Sequence, residues 1–260
     1  MKSIDLGLPI EYQQYPEYFD IPANARHTEE KNNEIEKILK KYNAKSVLDM
    51  ACGTGAQVFY LISLGYEVLG SDFSPALLEI ARKKALKENL SIEFINGDMR
   101  TLQVGSFDAV ITIDNAIGHL VKSDFSIAIS NIHQNLNHNG IYVFDILDLD
   151  AMTDEVIQAD SEKMTNVSIT EDGTRINNVR HSTIDRVNGI LTANETISIQ
   201  KNNIQKKVNN TCSLQIYTTD ELGDILSKNG FKIVEQFKVD AYTFCEDDKG
   251  YSILTAAMKK

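Results

Sequence analysis

Asp49, Gly53 and Gly55 stand at a spacing that could hold a charged ligand, within Ser46-Val47-Leu48-Asp49-Met50-Ala51-Cys52-Gly53-Thr54-Gly55. Val47 and Leu48 continue an apolar run that Asp49 ends, and small residues lead on to the apolar-rich segment from Val58 to Leu64. That pattern predicts a buried strand, a tight loop and a helix. Glycines remove side chains where the backbone must bend or admit a ligand, and a helix N-terminus turns unpaired N–H groups toward the same space. An anionic or carboxylate end suits such a loop. A dinucleotide fingerprint requires G-x-G-x-x-G, whereas Gly55 is followed here by Ala56-Gln57-Val58, so the glycines are wrong for NAD.

Further groups with chemical potential follow at the ends of later apolar runs. Tyr66-Glu67-Val68-Leu69-Gly70-Ser71 ends in Asp72, the run from Ser91 to Ile95 leads into Gly97-Asp98-Met99-Arg100, and the run from Phe107 to Ile113 ends at Asp114-Asn115. His119 comes shortly after. Its unperturbed pKa lies near neutrality, so it could hold a nucleophile or take its proton; a helix-entry histidine bonded to backbone is the equal alternative. Cys52 has no identified base partner and reads as a small buried residue. His27, His133, His138 and His181 show no metal-ligand spacing such as H-x-x-x-H, and the cysteines Cys52, Cys212 and Cys245 form neither a C-x-x-C pair nor a disulfide framework.

The elements that must position these residues alternate. Ile35, Ile38, Leu39 and Tyr42 fall at helical spacing and lead into the first strand. Gly65 stops the helix after the glycine loop, Ser74 caps the next with Pro75 at its first position, and Ser123 caps a later one whose apolar face is Phe125, Ala128, Ile129, Ile132 and Leu136. Asn139-Gly140 reads as a turn into a strand over 141–146. Strands alternating with helices imply a parallel sheet with ligands at the strands' carboxyl ends. Between Asp160 and Tyr217 the pattern changes to short alternating runs rich in Thr, Ile, Val and Asn. Asp172-Gly173, Asn188-Gly189 and Asn202-Asn203 mark hairpins between them. This predicts a roughly four-stranded antiparallel insertion. Thr218-Thr219-Asp220-Glu221 then opens a last helix as a capping box, and runs over 231–237 and 252–258 complete the sheet. The expected organisation is a lid segment over 1–27, a core over 28–150 and 218–260, and an inserted cap over 151–217.

Four motifs in order, Asp49-x-x-x-Gly53-x-Gly55, Ser71-Asp72-Phe73-Ser74, Gly97-Asp98-Met99 and Phe107-Asp108-Ala109-Val110 running to Asn115, resemble those of class I S-adenosylmethionine-dependent methyltransferases. Ala51 stands at an often-glycine position. The resemblance implies an α/β, Rossmann-like methyltransferase sheet, with S-adenosylmethionine as cofactor and S-adenosylhomocysteine as product. Asp49 and the loop residues Ala51, Cys52, Gly53 and Gly55 would face the methionine part. Asp72 would accept both ribose hydroxyls, Phe73 flank the adenine, Asp98 accept from the adenine amino group and Met99 pack on the ring, with Asp114 completing the cofactor set. Asp114-Asn115-Ala116-Ile117-Gly118-His119-Leu120 is similar to the N-S-x-x-H-L segment of small-molecule N-methyltransferases, such as the glycine, sarcosine and amino-sugar enzymes. In those families the segment borders the transferred methyl, which makes Asn115 and His119 catalytic candidates. Tyr18, also a catalytic candidate, and Tyr15 fall where these families place a tyrosine that covers the cofactor or substrate, and Arg26 could pair with the cofactor carboxylate. Surface packing is the other reading of these three. Leu147 stands where the glycine enzymes carry an arginine, which argues against glycine as the acceptor.

The composition bounds what remains. With 37 Asp and Glu against 26 Lys and Arg, the formal charge of −11 would repel nucleic acids and anionic lipid surfaces. The proline pair typical of nucleobase amino-methyltransferases is missing after Asn115. No run approaches the roughly 20 apolar residues of a membrane span, and the cysteine usage fits a reducing cytoplasm. The expected function is methyl transfer to a small-molecule acceptor, with an amine nitrogen preferred. The alternatives are an O-methyltransferase, a protein methyltransferase or a non-catalytic S-adenosylmethionine-binding protein. The inserted strands could also pair two copies of the chain.

Overall fold

The structure, a computed structural model, describes residues 6–12, 14–20, 27–170, 172–202 and 204–260. Helix α1 (Thr28–Lys41) precedes β1 (Ser46–Asp49), α2 (Ala56–Ser63), β2 (Glu67–Asp72), α3 (Pro75–Lys87), β3 (Phe94–Asn96), β4 (Phe107–Thr112), α4 (Lys122–Gln134) and β5 (Leu136–Leu147). After an excursion described below, α6 (Thr219–Lys228), β10 (Phe231–Val239) and β11 (Ser252–Lys259) finish the chain. The seven strands of the main sheet lie in the order β10-β11-β5-β4-β1-β2-β3. β1 through β5 run parallel, and β11 pairs antiparallel with both β5 and β10.

Unbroken apolar runs are what such a sheet requires, because both of its faces are covered. Val47, Ala109 and Ile111 face α1 and α2 through Ile35, Leu39 and Leu61. Leu48 and Val110 face the other way, toward Phe125, Ile129 and Ile132 of α4 and Leu222 and Leu226 of α6. Local signals fix the helix starts that matter to the site. Ser74 Oγ accepts the Leu77 N–H at 3.2 Å with Pro75 in the first turn, and Thr218 and Glu221 form the full capping box at the head of α6.

Two local expectations are corrected. α4 begins one residue before Ser123, and its N-cap is Val121, which contributes no side-chain bond. Asn139-Gly140 does not end an element: β5 runs through it as an irregularity, with Phe107 opposite Leu136 but Ala109 opposite Ile141, and Asn139 taking a φ of 60°.

The excursion consists of α5 (Asp154–Met164) and a separate antiparallel sheet of β6 (Asn166–Ile169), β7 (Arg175–Asp185), β8 (Ile190–Lys201) and β9 (Ile204–Gln215), in the order β6-β7-β8-β9. Leu6, Ile10, Tyr15 and Tyr18 pack on this sheet. The Ser213 N–H donates to the Leu6 carbonyl at 2.6 Å, and Ile10, Tyr15 and Tyr18 cluster with Ile176, Ile197 and Ile199. Gly7 makes the approach possible: at a φ of +64°, a Cβ there would stand 2.4 Å from the Thr211 carbonyl oxygen. Among the described residues no helix is long and apolar enough to cross a membrane.

Candidate active site

β1 is flanked by β2 on one side and β4 on the other, so the chain leaves it in opposite directions and opens a crevice at its carboxyl end. A cavity of about 980 Å3 lies there, bounded by the strand-end loops, the N-terminal segment and the inserted sheet. Ala51, Cys52, Gly53, Asp72, Phe73, Asp98, Met99, Asp114, Tyr18 and His119 line it. The cavity therefore gathers residues far apart in sequence. Arg26 lies outside the described residues.

The glycine loop is held from two sides. The Cys52 N–H donates to the Ser71 carbonyl at 2.9 Å and the Gly55 N–H to the Cys52 carbonyl at 2.7 Å, closing a tight turn in which Gly53 and Gly55 take φ values of 52° and 91°. Asp72 ties this turn to the head of α3: one carboxylate oxygen accepts the Gly53 N–H at 2.9 Å, the other the Ser74 N–H at 2.8 Å. An ionised carboxylate has about four acceptor positions, so capacity remains for two further donors. Phe73, at 39% exposure, stands beside it with its ring on Tyr12.

Asp49 and Gly55 do not line the cavity. Asp49 is buried behind the loop, where Oδ1 receives a long bond from the Ala51 N–H and Oδ2 has no partner. Burial pushes its carboxyl up to about 8. Since that exceeds the value of about 3.9 for an unfolded Asp, the stability it confers is complete below pH 3.9 and drains away as pH rises toward 8. Asp49→Asn is accordingly expected to unfold at a higher temperature than wild type at pH 8.5, and the gap should close near pH 4. A thermal unfolding series without ligand checks this, and equal midpoints at pH 8.5 would contradict it. Burial likewise raises the Cys52 thiol, which makes it an inert packing residue.

Asp98 and Asn115 are placed differently from expectation. Arg100 grips the Asp98 carboxylate through Nε at 3.0 Å and Nη2 at 2.5 Å, and reaches Asp124 with Nη1 at 2.5 Å. Asp98 is an ion-pair partner before it is a purine acceptor. Asn115 does not line the cavity: Oδ1 accepts the Leu147 N–H at 3.2 Å and its backbone N–H donates to Asp145 Oδ2 at 3.0 Å, so it fastens the end of β5. Asp114 and Asn115 both take left-handed φ values, 61° and 56°, a conformation that Asp and Asn tolerate best among residues with a side chain. Lys31 pairs with Asp114. Burial, with Asp114 nearby, raises the Asp145 carboxyl to about 7.

His119 is half-buried in the short helical turn after β4. Its Nε2 meets the Tyr12 hydroxyl at 3.1 Å, Nδ1 has no partner, and burial pulls its pKa down to about 4. Tyr12 thus touches the reactive candidate, an arrangement sequence reading missed. Its ring packs edge-on against His119 and Phe73 and lies near Phe19, which itself covers Gly53. Tyr15 and Tyr18 stack on each other instead, over the isoleucines of the inserted sheet, and of these two Tyr18 alone lines the cavity. Nothing in residue type separates Tyr12 from its neighbours, and no helical or strand period applies to the segment.

Residues 47–140 match a family model described as a methyltransferase domain. The glycine/sarcosine N-methyltransferase of Parasynechococcus marenigrum is 36% identical over 129 residues, covering 48% of this chain and 45% of that protein. The chain spans about half the length of the curated relatives it matches. Among solved structures, an S-adenosylmethionine-dependent methyltransferase from Clostridium acetobutylicum superposes with a TM-score of 0.75 at 15% identity, covering 94% of this chain and 96% of that one. A sugar N-methyltransferase from Streptoalloteichus sp. gives a TM-score of 0.76 at 15% identity, covering 100% and 96%. Beneath the inserted sheet, this chain therefore carries a methyltransferase domain over residues 47–140, within the Rossmann-like fold of S-adenosylmethionine-dependent methyltransferases.

Proposed function

We propose that the chain transfers a methyl group from S-adenosylmethionine to the nitrogen of a small amine. The observation that carries this reading is the single cavity in which Gly53, Asp72, Phe73 and Met99 meet His119 and Tyr12. Its volume of about 980 Å3 suits a nucleoside-sized ligand together with a small acceptor. The donor set fits the cofactor as well. Asp72 keeps acceptor capacity for hydroxyls, and Phe73 and Met99 offer apolar surface to a purine.

S-adenosylmethionine, when bound, supplies a methyl on a sulfonium, already activated for displacement. The protein then has to hold a neutral amine in line, away from water. His119 is suited to that: it lines the cavity, is uncharged at neutral pH, and its ring, fixed at Nε2 by the Tyr12 hydroxyl, would orient the acceptor beside it. Its low pKa makes it a weak base, which favours an amine, whose lone pair attacks without prior deprotonation, over an alcohol, whose proton must leave. With the cofactor bound, the acceptor nitrogen would take the methyl from the sulfonium, leaving S-adenosylhomocysteine, and the resulting ammonium would lose its proton to solvent. Tyr12 fixes the imidazole from the other side.

Calorimetric titration tests the reading. Purified protein free of S-adenosylhomocysteine should bind S-adenosylmethionine with a Kd on the order of micromolar, about −8 kcal/mol, and should not bind NAD. No heat with S-adenosylmethionine would overturn it. The relatives named for glycine and sarcosine methylation support nitrogen as the acceptor atom.

A further inference from the structure

The wall that the inserted sheet gives the cavity is not the apolar face that packing alone would call for. Ile176, Asn178 and Arg180 share one face of β7, and Glu195 and Ile197 lie on the facing side of β8, with Arg180 directly opposite Glu195. Three donors converge on a single oxygen: Arg180 Nε at 3.1 Å, Arg180 Nη2 at 2.9 Å and Asn178 Nδ2 at 3.0 Å all reach Glu195 Oε1. Asn178 Oδ1 is buried with no partner. Glu11, from the N-terminal segment, lines the same wall, and burial raises its carboxyl while Glu195 adds to the shift and Arg180 counters it. Beyond Arg180 lies a third carboxylate, Asp160, which accepts the Tyr242 hydroxyl at 2.7 Å.

Polar groups desolvated in this way cost stability unless something completes their bonding. What is left over on this wall is acceptor capacity: Asn178 Oδ1, the Glu11 carboxylate and the Glu195 oxygen that none of the three donors uses. Among the described residues of this wall the guanidinium is that of Arg180, and its Nε and Nη2 are committed to Glu195, so its charge is largely neutralised within the pair. A ligand that satisfies the wall must bring donors and carry no anion to that side.

We infer that Glu11, Asn178 and Glu195 form the subsite for the methyl acceptor, and that it takes an amine carrying several hydroxyl groups in preference to one carrying a carboxylate. The inference rests on the methyl-transfer reading for the fate of the amine, but binding at the wall needs only the cavity. An amino polyol places its reacting nitrogen toward His119 and donates its hydroxyls to Asn178 Oδ1 and the two carboxylates. An amino acid would set its carboxylate against Glu11 and Glu195.

The test is calorimetric titration of the S-adenosylhomocysteine-saturated protein with D-glucosamine and, separately, with sarcosine. Glucosamine should bind at least about tenfold more tightly, as expected when one side gains a hydrogen bond to a charged group and the other gains repulsion. Glu195→Gln should weaken glucosamine by about tenfold and narrow the preference, because Arg180 then lacks its neutralising partner. Glu11→Gln lies outside the sheet and repeats the test should Glu195→Gln unfold the cap. Sarcosine binding as tightly as glucosamine, no saturable glucosamine binding, or variants that bind glucosamine like wild type would each overturn the inference. Titration of S-adenosylhomocysteine into the same samples separates the two levels: failure there sinks the cofactor reading, and the acceptor titrations are then made on the unloaded protein.

Discussion

His119→Ala lowers kcat by about 100-fold, with any amine that the wild type methylates, and leaves the affinity for S-adenosylmethionine unchanged. The size follows from what the imidazole does. It lines the cavity and is held at Nε2 by the Tyr12 hydroxyl at 3.1 Å, so its loss removes an oriented ring beside the acceptor and lets water into the space. The pH dependence carries a second signature. Because burial holds the folded-state pKa near 4, below the ordinary value of 6.5, the group charges neither at pH 7 nor at pH 6. The pH–rate profile should therefore show no limb near 6.5, only the rise that accompanies deprotonation of the acceptor amine. Stability contributed by the neutral ring is complete above about 6.5 and is lost as pH falls through that value toward 4, a loss His119→Ala should escape. Tyr12→Phe, which frees the ring without removing it, should give a smaller fall in kcat with the same cofactor affinity. Weaker cofactor binding at unchanged kcat in His119→Ala would place the residue on the wrong ligand.

Much of this arrangement is legible in the chain because the physics behind it is local or two-sided. Val47-Leu48 and Ala109-Val110-Ile111 are apolar without alternation since each face of the sheet meets helices, and that pattern has few other readings. The Ser74 and Thr218 caps are bonded within a few residues of themselves. Helix α5 left no comparable trace: it buries little beyond Ile157 and Ser161, so its apolar residues mark no continuous helical face. Asn139-Gly140 misled for a different reason. The residues that make turns also make strand irregularities, and the pairing of β4 with β5, remote in sequence, decides between them.

The candidate site is less legible, because it depends on which face each segment turns and on partners far away. Asp98 and Arg100 are neighbours in the chain, yet the addition of Asp124 from α4 is what makes the arginine a clamp. Asn115 carries the signature of a family position but spends its side chain on the backbone of β5. On β7 and β8, Asn178, Arg180 and Glu195 look like a solvated strand face until the N-terminal segment and the core sheet close over them. Tyr12 is singled out by its path alone.

Asp72→Ala should weaken S-adenosylmethionine binding by about 10- to 100-fold, the worth of about 1.5–3 kcal/mol in hydrogen bonds to a charged group. Asp72 holds the Gly53 N–H at 2.9 Å and the Ser74 N–H at 2.8 Å, so its removal frees two buried donors, loosens the glycine loop and deletes the acceptor offered to the ribose hydroxyls. Loop damage and lost contact can be told apart. Asp72→Asn keeps the volume and one acceptor oxygen but turns an NH2 toward the second backbone N–H; it should unfold closer to wild type than Asp72→Ala does, yet bind the cofactor nearly as poorly. Burial already raises the Asp72 carboxyl, against the opposing pull of the Ser74 and Gly53 N–H groups, so wild-type affinity should decline as acidification neutralises it, and the decline should be absent in Asp72→Asn. Calorimetry of the three proteins across pH, with melting temperatures measured alongside, reads both effects. Wild-type affinity in Asp72→Ala would mean that the carboxylate serves the loop alone and that the ribose is held elsewhere.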